Sequence, residues 1–405
     1  RDRLRSRGLG DVYKRQDYTD DMTVLKNGNI VAVGQSYSND GDFQNLLKGG
    51  SIAYINQYDP KGELLKTLTL GGTEYDSIAY AAKVCGLDDG GFVVSGGYQE
   101  GVYVAPTGDF AQLDTAGTVH GQMDTFIAKY DSNSKLIWMS NFSGSANDQV
   151  KQIKATDDGG IAVLIETNSN DGDMENQNRG LYDLVIVKYE AHGKKVWQRV
   201  LGGKNIETSS SGLDILSDGS FIVAGSLSSK SGDFADVDWY GDIFDCFAAK
   251  ISATGELLWT KAYGGDRNDY CNSVLATSDG GFILMGNTKS TTDTFAPIVT
   301  GYDNAYVLKC NETGETEWVN VIKSSEASEM ISAIELEDQY VFIGQSRGTD
   351  YDVTGLNKGS MDVFIANYEK NGTLKTIENI GGSKADYASE TVSYTHLTLP
   401  TILRV

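Results

Sequence analysis

Short apolar runs alternate with turns and polar segments along almost the whole chain. The runs are four to six residues long, are rich in Val, Ile, Leu, Phe and Tyr, and stop at glycine or polar residues, as residues 161–165 and 282–285 show. Runs of this length are typical of β-strands and are too short for core helices, which would also need a 3.6-residue period. The pattern therefore predicts an all-β chain.

One unit of four such runs recurs six times, at a spacing of roughly 60 residues that is expected of repeat arrays. Its landmarks are a glycine in the turn between the first two runs, an Asp that opens the third run, and a closing Gly-Gly-x-x-x-Asp motif. The turn residues are Gly28, Gly90, Gly159, Gly219, Gly280 and, in the sixth copy, Asp338. The third-run aspartates are Asp124, Asp183, Asp245, Asp303 and Asp362.

The connections between the runs predict how the unit folds. Asp-Gly-Gly between the first two runs supplies residues that tolerate positive φ, which a two-residue hairpin turn requires. Four antiparallel strands per unit, repeated radially, predict a β-propeller in which each unit is one blade. We therefore predict an all-β fold, a β-propeller of at least six four-stranded antiparallel blades. A parallel β-helix, which would show much shorter coils, is the weaker alternative.

Both ends of the chain depart from the repeat. Residues 1–16 carry six basic and two acidic residues in an otherwise acidic chain, and residues 392–405 are equally unlike the unit. Both segments resemble translated sequencing-adapter read-through, so we treat them as non-native scars and exclude them from the fold. We expect residues 17–391 to form the propeller as six repeats and the start of a seventh, within which the chain has been cut.

Charge narrows the possible partners. The formal net charge is −22, and it becomes −27 when the +4 of residues 1–16 and the +1 of Arg404 are set aside. Nucleic acids and anionic membranes demand a basic surface, so we expect neither as a partner. No apolar stretch is long enough to cross a bilayer, and we predict no membrane insertion within this fragment. The four cysteines show no C-x-x-C spacing and are predicted to be reduced, buried residues.

A tryptophan recurs on the fourth run, four residues after a glycine or, in one copy, after Ser134. These residues are Trp138, Trp197, Trp259 and Trp318, and we predict that they pack on the neighbouring blade while the indole N–H finds a carbonyl. Residues 250–259 and 309–318 resemble the tryptophan-docking motif of quinoprotein-like β-propellers, whose members include quinone-dependent dehydrogenases and non-enzymatic outer-membrane assembly factors. Nothing matches the vicinal cysteine pair of the quinone site, so its residues are not carried over.

The whole unit more closely resembles propeller-like repeats of secreted and surface proteins in gut Firmicutes and Bacteroidetes. That resemblance covers nearly all of residues 17–391 and implies a secreted or cell-surface bacterial protein.

The long loops between the second and third runs share one face of a propeller, where binding residues gather on a rigid scaffold. They repeat a Gly-Asp-apolar motif whose apolar residue is expected to tuck the loop onto its blade. Their aspartates suit two roles, capping of the turn through backbone N–H groups or coordination of Ca²⁺. The candidates are Asp40, Asp42, Asp109, Asp171, Asp173, Asp233, Asp350 and Asp352. A third role, a glycosidase pair of carboxylates, cannot be assigned to particular residues.

Two loops differ from the others and could carry a specific site. The second unit has an enlarged loop over residues 98–122 that contains Tyr103 and Phe110. The fourth has a cluster made of Asp236, Asp238, Trp239, Tyr240 and Asp242. Aromatic rings beside carboxylates suit sugar stacking or a peptide side chain, and the alternative is that the rings fold back onto their own blades.

No catalytic constellation is recognisable, since His120 and His192 lie about one repeat apart in polar segments and without obvious partners. We therefore predict an extracellular or cell-surface module for binding or adhesion to a glycan or protein partner. It needs no cofactor, although Ca²⁺ is possible. The alternatives are a glycan-cleaving or quinone-dependent enzyme, favoured by a funnel lined with converging carboxylates or by a cofactor-sized cavity, and an architectural spacer.

Overall fold

A computed structural model of the chain describes residues 17–38, 43, 45–46, 50–73, 77–99, 107–113, 122–240, 244–296, 302–355 and 357–388. The terminal segments predicted to be scars, residues 1–16 and 392–405, lie outside this part. So do the last residues of the predicted propeller, 389–391.

The strands form six antiparallel sheets of consecutive strands, which we call blades 1 to 6. Blade 1 contains β1 (Asp17–Val24), β2 (Ile30–Ser36), β3 (Ile52–Tyr58) and β4 (Leu64–Leu70). Blade 2 contains β5 (Ile78–Gly86), β6 (Phe92–Gln99), β7 (Asp124–Tyr130) and β8 (Leu136–Phe142). Blade 3 contains β9 (Asp148–Ala155), β10 (Ile161–Thr167), β11 (Asp183–Tyr189) and β12 (Lys195–Leu201).

The fourth blade begins with a divided strand, because β13 and β14 both pair with β15. Blade 4 contains β13 (Glu207–Thr208), β14 (Leu213–Ile215), β15 (Phe221–Leu227), β16 (Asp245–Ile251) and β17 (Leu257–Tyr263). Blade 5 contains β18 (Asp269–Ala276), β19 (Phe282–Thr288), β20 (Asn304–Cys310) and β21 (Thr316–Ile322). Blade 6 contains β22 (Ser328–Glu335), β23 (Gln339–Ser346), β24 (Asp362–Glu369) and β25 (Leu374–Ile380).

Consecutive blades bury each other's faces. Successive residues of β7 enter different cores, because Phe126 and Ala128 pack with blade 1 whereas Ile127 packs with blade 3. This follows from the two-residue period of a strand. Five such cores join the blades in sequence, and they explain why the second and third strands of the blades are buried on both faces. The predicted fold, an all-β propeller of four-stranded antiparallel blades, is confirmed.

The turn between the first two strands of a blade differs from the predicted two-residue hairpin. In blade 2, Leu87 and Gly91 form the closing pair, and the Gly90 N–H donates to the Leu87 carbonyl. The loop therefore contains three residues, and Gly90 is the last of them, with φ +84°. A three-residue hairpin of this kind combines a type I turn with one left-handed residue, which explains the glycine at this position.

The repeated tryptophans connect each blade to the next on the side of the tight turns. The Trp138 indole N–H donates to the Ala191 carbonyl at 3.1 Å, and that of Trp197 donates to Ala253 at 3.2 Å. The indole ring of Trp138 lies on Gly193, where a Cβ atom would come within 2.6 Å of the ring. Trp197 stacks on Gly255 and Trp318 on Gly372 in the same way, whereas Trp259 approaches Gly314 only with the outer edge of its ring, 3.0 Å from where a Cβ atom would lie. Glycine is therefore required for close approach as well as for its positive φ.

The cysteines occur as free thiols, with Cys246, Cys271 and Cys310 buried and Cys85 partly buried. Burial raises the pKa of Cys310 to about 12, so this thiol is an unreactive core group at neutral pH. In the described part of the chain, no helix has the length and apolarity that crossing a bilayer requires.

Candidate functional site

In blades 2, 3, 4 and 6 the long loop returns to its blade through a short 3₁₀ turn that carries the repeated aspartate. The Asp173 carboxylate accepts the Ser143 N–H at 3.0 Å, and Asp233 accepts the Gly202 N–H at 3.2 Å. Both donors lie in the connection from the preceding blade, not in the aspartate's own turn. The same kind of bond joins Asp109 to Gly71, Asp171 to Ser145, Asp350 to Ser325 and Asp352 to Lys323. These carboxylates thus fasten one blade's loop to the preceding connection.

Some of these aspartates also pair with cations. Asp233 binds the guanidinium groups of Arg179 and Arg199, and the Asp173 carboxylate lies 2.8 Å from the Lys195 ammonium. No group of three or more His, Cys, Asp or Glu side chains suited to a metal occurs in the ranges that the structure describes. Asp40 and Asp42 lie outside those ranges, and calcium binding stays a prediction.

The apolar residue of each loop motif is buried. Phe110 is fully buried, stacks on Tyr98 with ring centroids 4.8 Å apart, and contacts Phe126. Its prediction as a ligand contact is therefore wrong, because the motif uses this side chain to anchor the loop in the blade 1 and 2 core. Tyr103, in the same loop, lies outside the described residues.

Blade 5 contains a form of this loop motif that was not predicted from the sequence. Phe295 is buried against Tyr306, and Thr294 replaces the aspartate by accepting the Gly264 N–H through its hydroxyl. Asp293 stands where blades 2, 3 and 4 have glycine and adopts φ +55°. The remaining sequence signal was the apolar residue, Phe295, at the expected distance before the third strand.

The aromatic loop of blade 4 lies on the same face. Trp239 is half-buried against the core between blades 3 and 4, whereas Asp236 and Asp238 are exposed. The Tyr240 N–H donates to Asp245 at 3.1 Å, and the Tyr240 side chain lies near Thr294 of blade 5. Burial, with Asp238 nearby, raises the pKa of Tyr240. Four of the five predicted residues thus share one short loop, and Asp242 lies outside the described residues.

A second set of carboxyl groups is buried where the first strand of a blade begins. Asp148 accepts hydrogen bonds from the Thr167 and Ser169 hydroxyls, and Asp269 does the same with Thr288 and Ser290. Burial raises the pKa of Asp148 to about 8 and that of Asp269 to about 7, although the hydroxyl donors oppose the shift. These Asp and hydroxyl residues recur at constant spacing, a signal from which the buried set could have been predicted.

The junction between blades 5 and 6 lacks this arrangement. Ser328 takes the place of the first-strand aspartate and Asn304 that of the third-strand aspartate, since Asn304 pairs with Thr288 as Asp183 pairs with Thr167. The sequence alignment of Asp303 with Asp183 is therefore wrong by one residue. Asp303 instead lines a cavity of about 130 Å³ on the long-loop face, which is bounded by Asn287, Asp303, Ala327, Ser328, Glu329, Gln345 and Met361.

A second cavity, of about 190 Å³, lies among the first strands of blades 4, 5 and 6. Its lining residues are Ser210, Ser211, Asn272, Ser273, Glu329, Ile331 and Ser332. Glu329 supplies the carboxylate of this wall and is held by the Asn272 amide at 3.1 Å. A glycosidase needs two carboxyl groups across the scissile bond, and this wall presents one. Of the two candidate histidines of the repeat region, His192 is exposed and His120 lies outside the described residues.

No protein-family model matches the sequence. The regulatory protein FlaEY of Caulobacter vibrioides is 26% identical over 209 residues, which cover 47% of this chain and 22% of that protein. The chain thus spans about a fifth of the length of the curated relative that it matches.

Several solved structures are similar in fold at low sequence identity. A protein of unknown function from Dyadobacter fermentans is 11% identical, with 82% of this chain and 91% of that chain covered and a TM-score of 0.42. The α-L-arabinanase of Penicillium chrysogenum, complexed with arabinobiose, is 12% identical, with 81% and 87% covered and a TM-score of 0.38. The parainfluenza virus 5 hemagglutinin-neuraminidase ectodomain is 10% identical, with 90% and 83% covered and a TM-score of 0.36.

Proposed function

We propose that this propeller is a binding or adhesion module whose long-loop face receives a glycan. The observation that supports the proposal is the blade 4 loop, in which half-buried Trp239 and Tyr240 stand beside the exposed carboxylates of Asp236 and Asp238. A partly exposed ring can stack on the apolar face of a sugar, and carboxylates accept hydrogen bonds from its hydroxyl groups.

The supports of this loop favour binding over a purely architectural role. Trp239 rests on the core between blades 3 and 4, and the Tyr240 N–H donates to Asp245. A loop that is held before the ligand arrives loses little conformational entropy on binding. A protein partner is the second candidate, because Trp and Tyr are also the commonest anchors of protein interfaces.

The proposed setting is the bacterial cell surface or the extracellular space, which the resemblance of the repeat to secreted and surface proteins suggests. The acidic composition fits a soluble surface module. Binding requires no cofactor in this proposal, and Ca²⁺ acts, if at all, on the loop aspartates.

A glycan array tests the proposal, followed by calorimetric titration of any glycan that binds. Trp239→Ala should weaken that binding at least about tenfold, as loss of a central aromatic anchor does. Tyr302→Ala is the matched control, because Tyr302 is 52% exposed on the corresponding loop of blade 5, and it should leave the affinity unchanged. If no glycan on the array binds, and a protein binds the wild type but not Trp239→Ala, the partner is a protein and not a glycan. Equal binding by Trp239→Ala and the wild type would refute the site.

A further inference from the structure

The junction of blades 5 and 6 combines two carboxylates and an unsatisfied buried acceptor around one small cavity. Asp303, Glu329 and Gln345 all line the cavity of about 130 Å³. The cavity lies at a different blade junction from Trp239. A test of ligand binding in this cavity is therefore independent of a test of glycan binding at Trp239.

The Gln345 side chain points a bare carbonyl oxygen into protein interior. Its amide nitrogen donates to the Glu329 carboxylate at 2.6 Å. Because a carboxylate can only accept, this bond fixes which end of the amide faces Glu329. The Oε1 atom is then left buried without a hydrogen-bond partner, on a side chain that is only 9% exposed. Such an acceptor costs free energy unless a donor reaches it.

The charges around the cavity favour a cation. Asp303 accepts from the Asn287 amide at 3.0 Å and lies 3.3 Å from the Lys289 ammonium, so one of the two carboxylates is paired with a positive group. Glu329 is bound by the neutral amides of Asn272 and Gln345. The described wall of the cavity therefore keeps one negative charge without a cationic partner.

We propose that this cavity binds a primary ammonium group carried on a short alkyl stem. An ammonium has three N–H donors and no acceptor, which suits a cavity wall that carries the Glu329 and Asp303 carboxylates and the amide side chain of Gln345. Met361 and Ala327 supply the apolar part of the wall for the methylene groups. Pockets for whole small molecules measure roughly 300–1,000 Å³, so this cavity accepts a group about the size of a side chain.

Isothermal titration of the full chain tests this site with n-butylammonium, and with 1-butanol as the neutral probe of similar shape. Saturable binding of the amine without binding of the alcohol is expected. Glu329→Gln should weaken amine binding at least about tenfold, since a charge-assisted hydrogen bond is lost. Glu378→Gln, which removes an equal charge from an exposed position on blade 6, should bind as the wild type does.

Two further measurements keep the test decisive. Asp303→Asn should also weaken binding, and it replaces Glu329→Gln if that variant unfolds, which its thermal transition will show. The amide of Nα-acetyl-lysine and the diamine putrescine separate the two sources of an alkylammonium. Tighter binding of the lysine amide assigns the site to a protein partner, and tighter binding of putrescine assigns it to a free polyamine. Equal affinity in Glu329→Gln and the wild type, or no saturable binding of any amine, would overturn the proposal.

Discussion

The junction between blades 4 and 5 and the junction between blades 5 and 6 are built from the same repeat positions, yet their long-loop ends differ. At the first, Asp245 and Asp269 approach Gly264 so closely that a Cβ there would lie 2.4 Å and 3.2 Å from their oxygens. At the second, the neutral Asn304 amide accepts the Ser324 N–H at 2.8 Å, and an open cavity lies beside Ser328. Substitutions at a few repeat positions can therefore leave a cavity at one junction where the equivalent junction is closed.

The two junctions share the tryptophan contact on the side of the tight turns, and its loss should have the largest effect. Trp259→Ala and Trp318→Ala should each lower the free energy of unfolding by about 2–4 kcal/mol, because each removes a large ring packed against the core between two blades. Chemical denaturation measures the change. Leu258→Ala, whose side chain is 51% exposed, should cost about 0.5 kcal/mol or less. A large difference between the two tryptophan variants would show that the junctions differ there as well.

The carboxyl group of Asp269 should make the closed junction sensitive to pH. Its pKa in the folded protein, about 7, lies above its ordinary value of 3.8 because the group is buried. The folded state therefore retains a proton that the unfolded state releases, so this contribution to stability falls as pH rises from about 4 to 7 and is constant above that range. Asp269→Asn should reduce the fall by on the order of 1 kcal/mol. Denaturation curves at pH 5 and pH 8 measure the difference in unfolding free energy between the two pH values. The same difference in Asp269→Asn and the wild type would contradict a raised pKa at Asp269.

A substitution should give the junction between blades 5 and 6, which we call the open junction, the same kind of pH dependence. Ser328→Asp introduces the carboxyl group that blades 3 and 5 carry at this position, as Asp148 and Asp269, beside the Ser346 hydroxyl at the end of the second strand. The variant should gain stability at pH 5 relative to pH 8, by less than Asp269 contributes, because the neighbouring Asn304 is neutral. Ser324→Ala, at the same junction, serves as the control without a new acid. A variant with the wild-type pH profile would show that the two junctions differ in more than these residues.

Calcium should have the smallest effect. The described loop aspartates already accept backbone N–H groups, as Asp173 does from Ser143, and Asp173 and Asp233 also pair with Lys or Arg. We expect the melting temperature in EDTA and in millimolar calcium to agree within about 1 °C, since only an ion that binds the native state raises it. A rise that calcium produces and magnesium does not would instead support the predicted calcium sites.

Much of the fold could be predicted from the sequence because each repeat has the same structural requirements, so the same residue types recur at the same positions. Glycine at the first turn and tryptophan on the fourth strand each recur where a positive φ or a ring contact requires them, as at Gly90 and Trp138. The turn length was wrong because Asp-Gly-Gly fits both two-residue and three-residue hairpins, and only the pairing of Leu87 with Gly91 decides between them.

The site was harder to predict, for two physical reasons. Phe110 was expected at the surface because an aromatic residue in a polar loop looks the same whether it binds a ligand or anchors the loop, and burial distinguishes the two. Asp303 was aligned with the third-strand aspartates, although the strand begins one residue later at Asn304. That shift moves a carboxylate from the sealed interior into the cavity beside Glu329 and Gln345, and it depends on strand register, which composition does not reveal.

The measurement that most directly tests the open junction as a binding site is methionine-methyl NMR of the full chain during titration with n-butylammonium. The seven methionines are distributed over several blades, and Met361 lines the cavity whereas Met174 is buried in the core between blades 2 and 3. If the cavity binds the amine, the Met361 methyl signal shifts saturably, the Met174 signal stays unmoved, and the response is weakened in Glu329→Gln. A Met361 signal that stays in place, or shifts of the same size at both methionines, would contradict binding in this cavity.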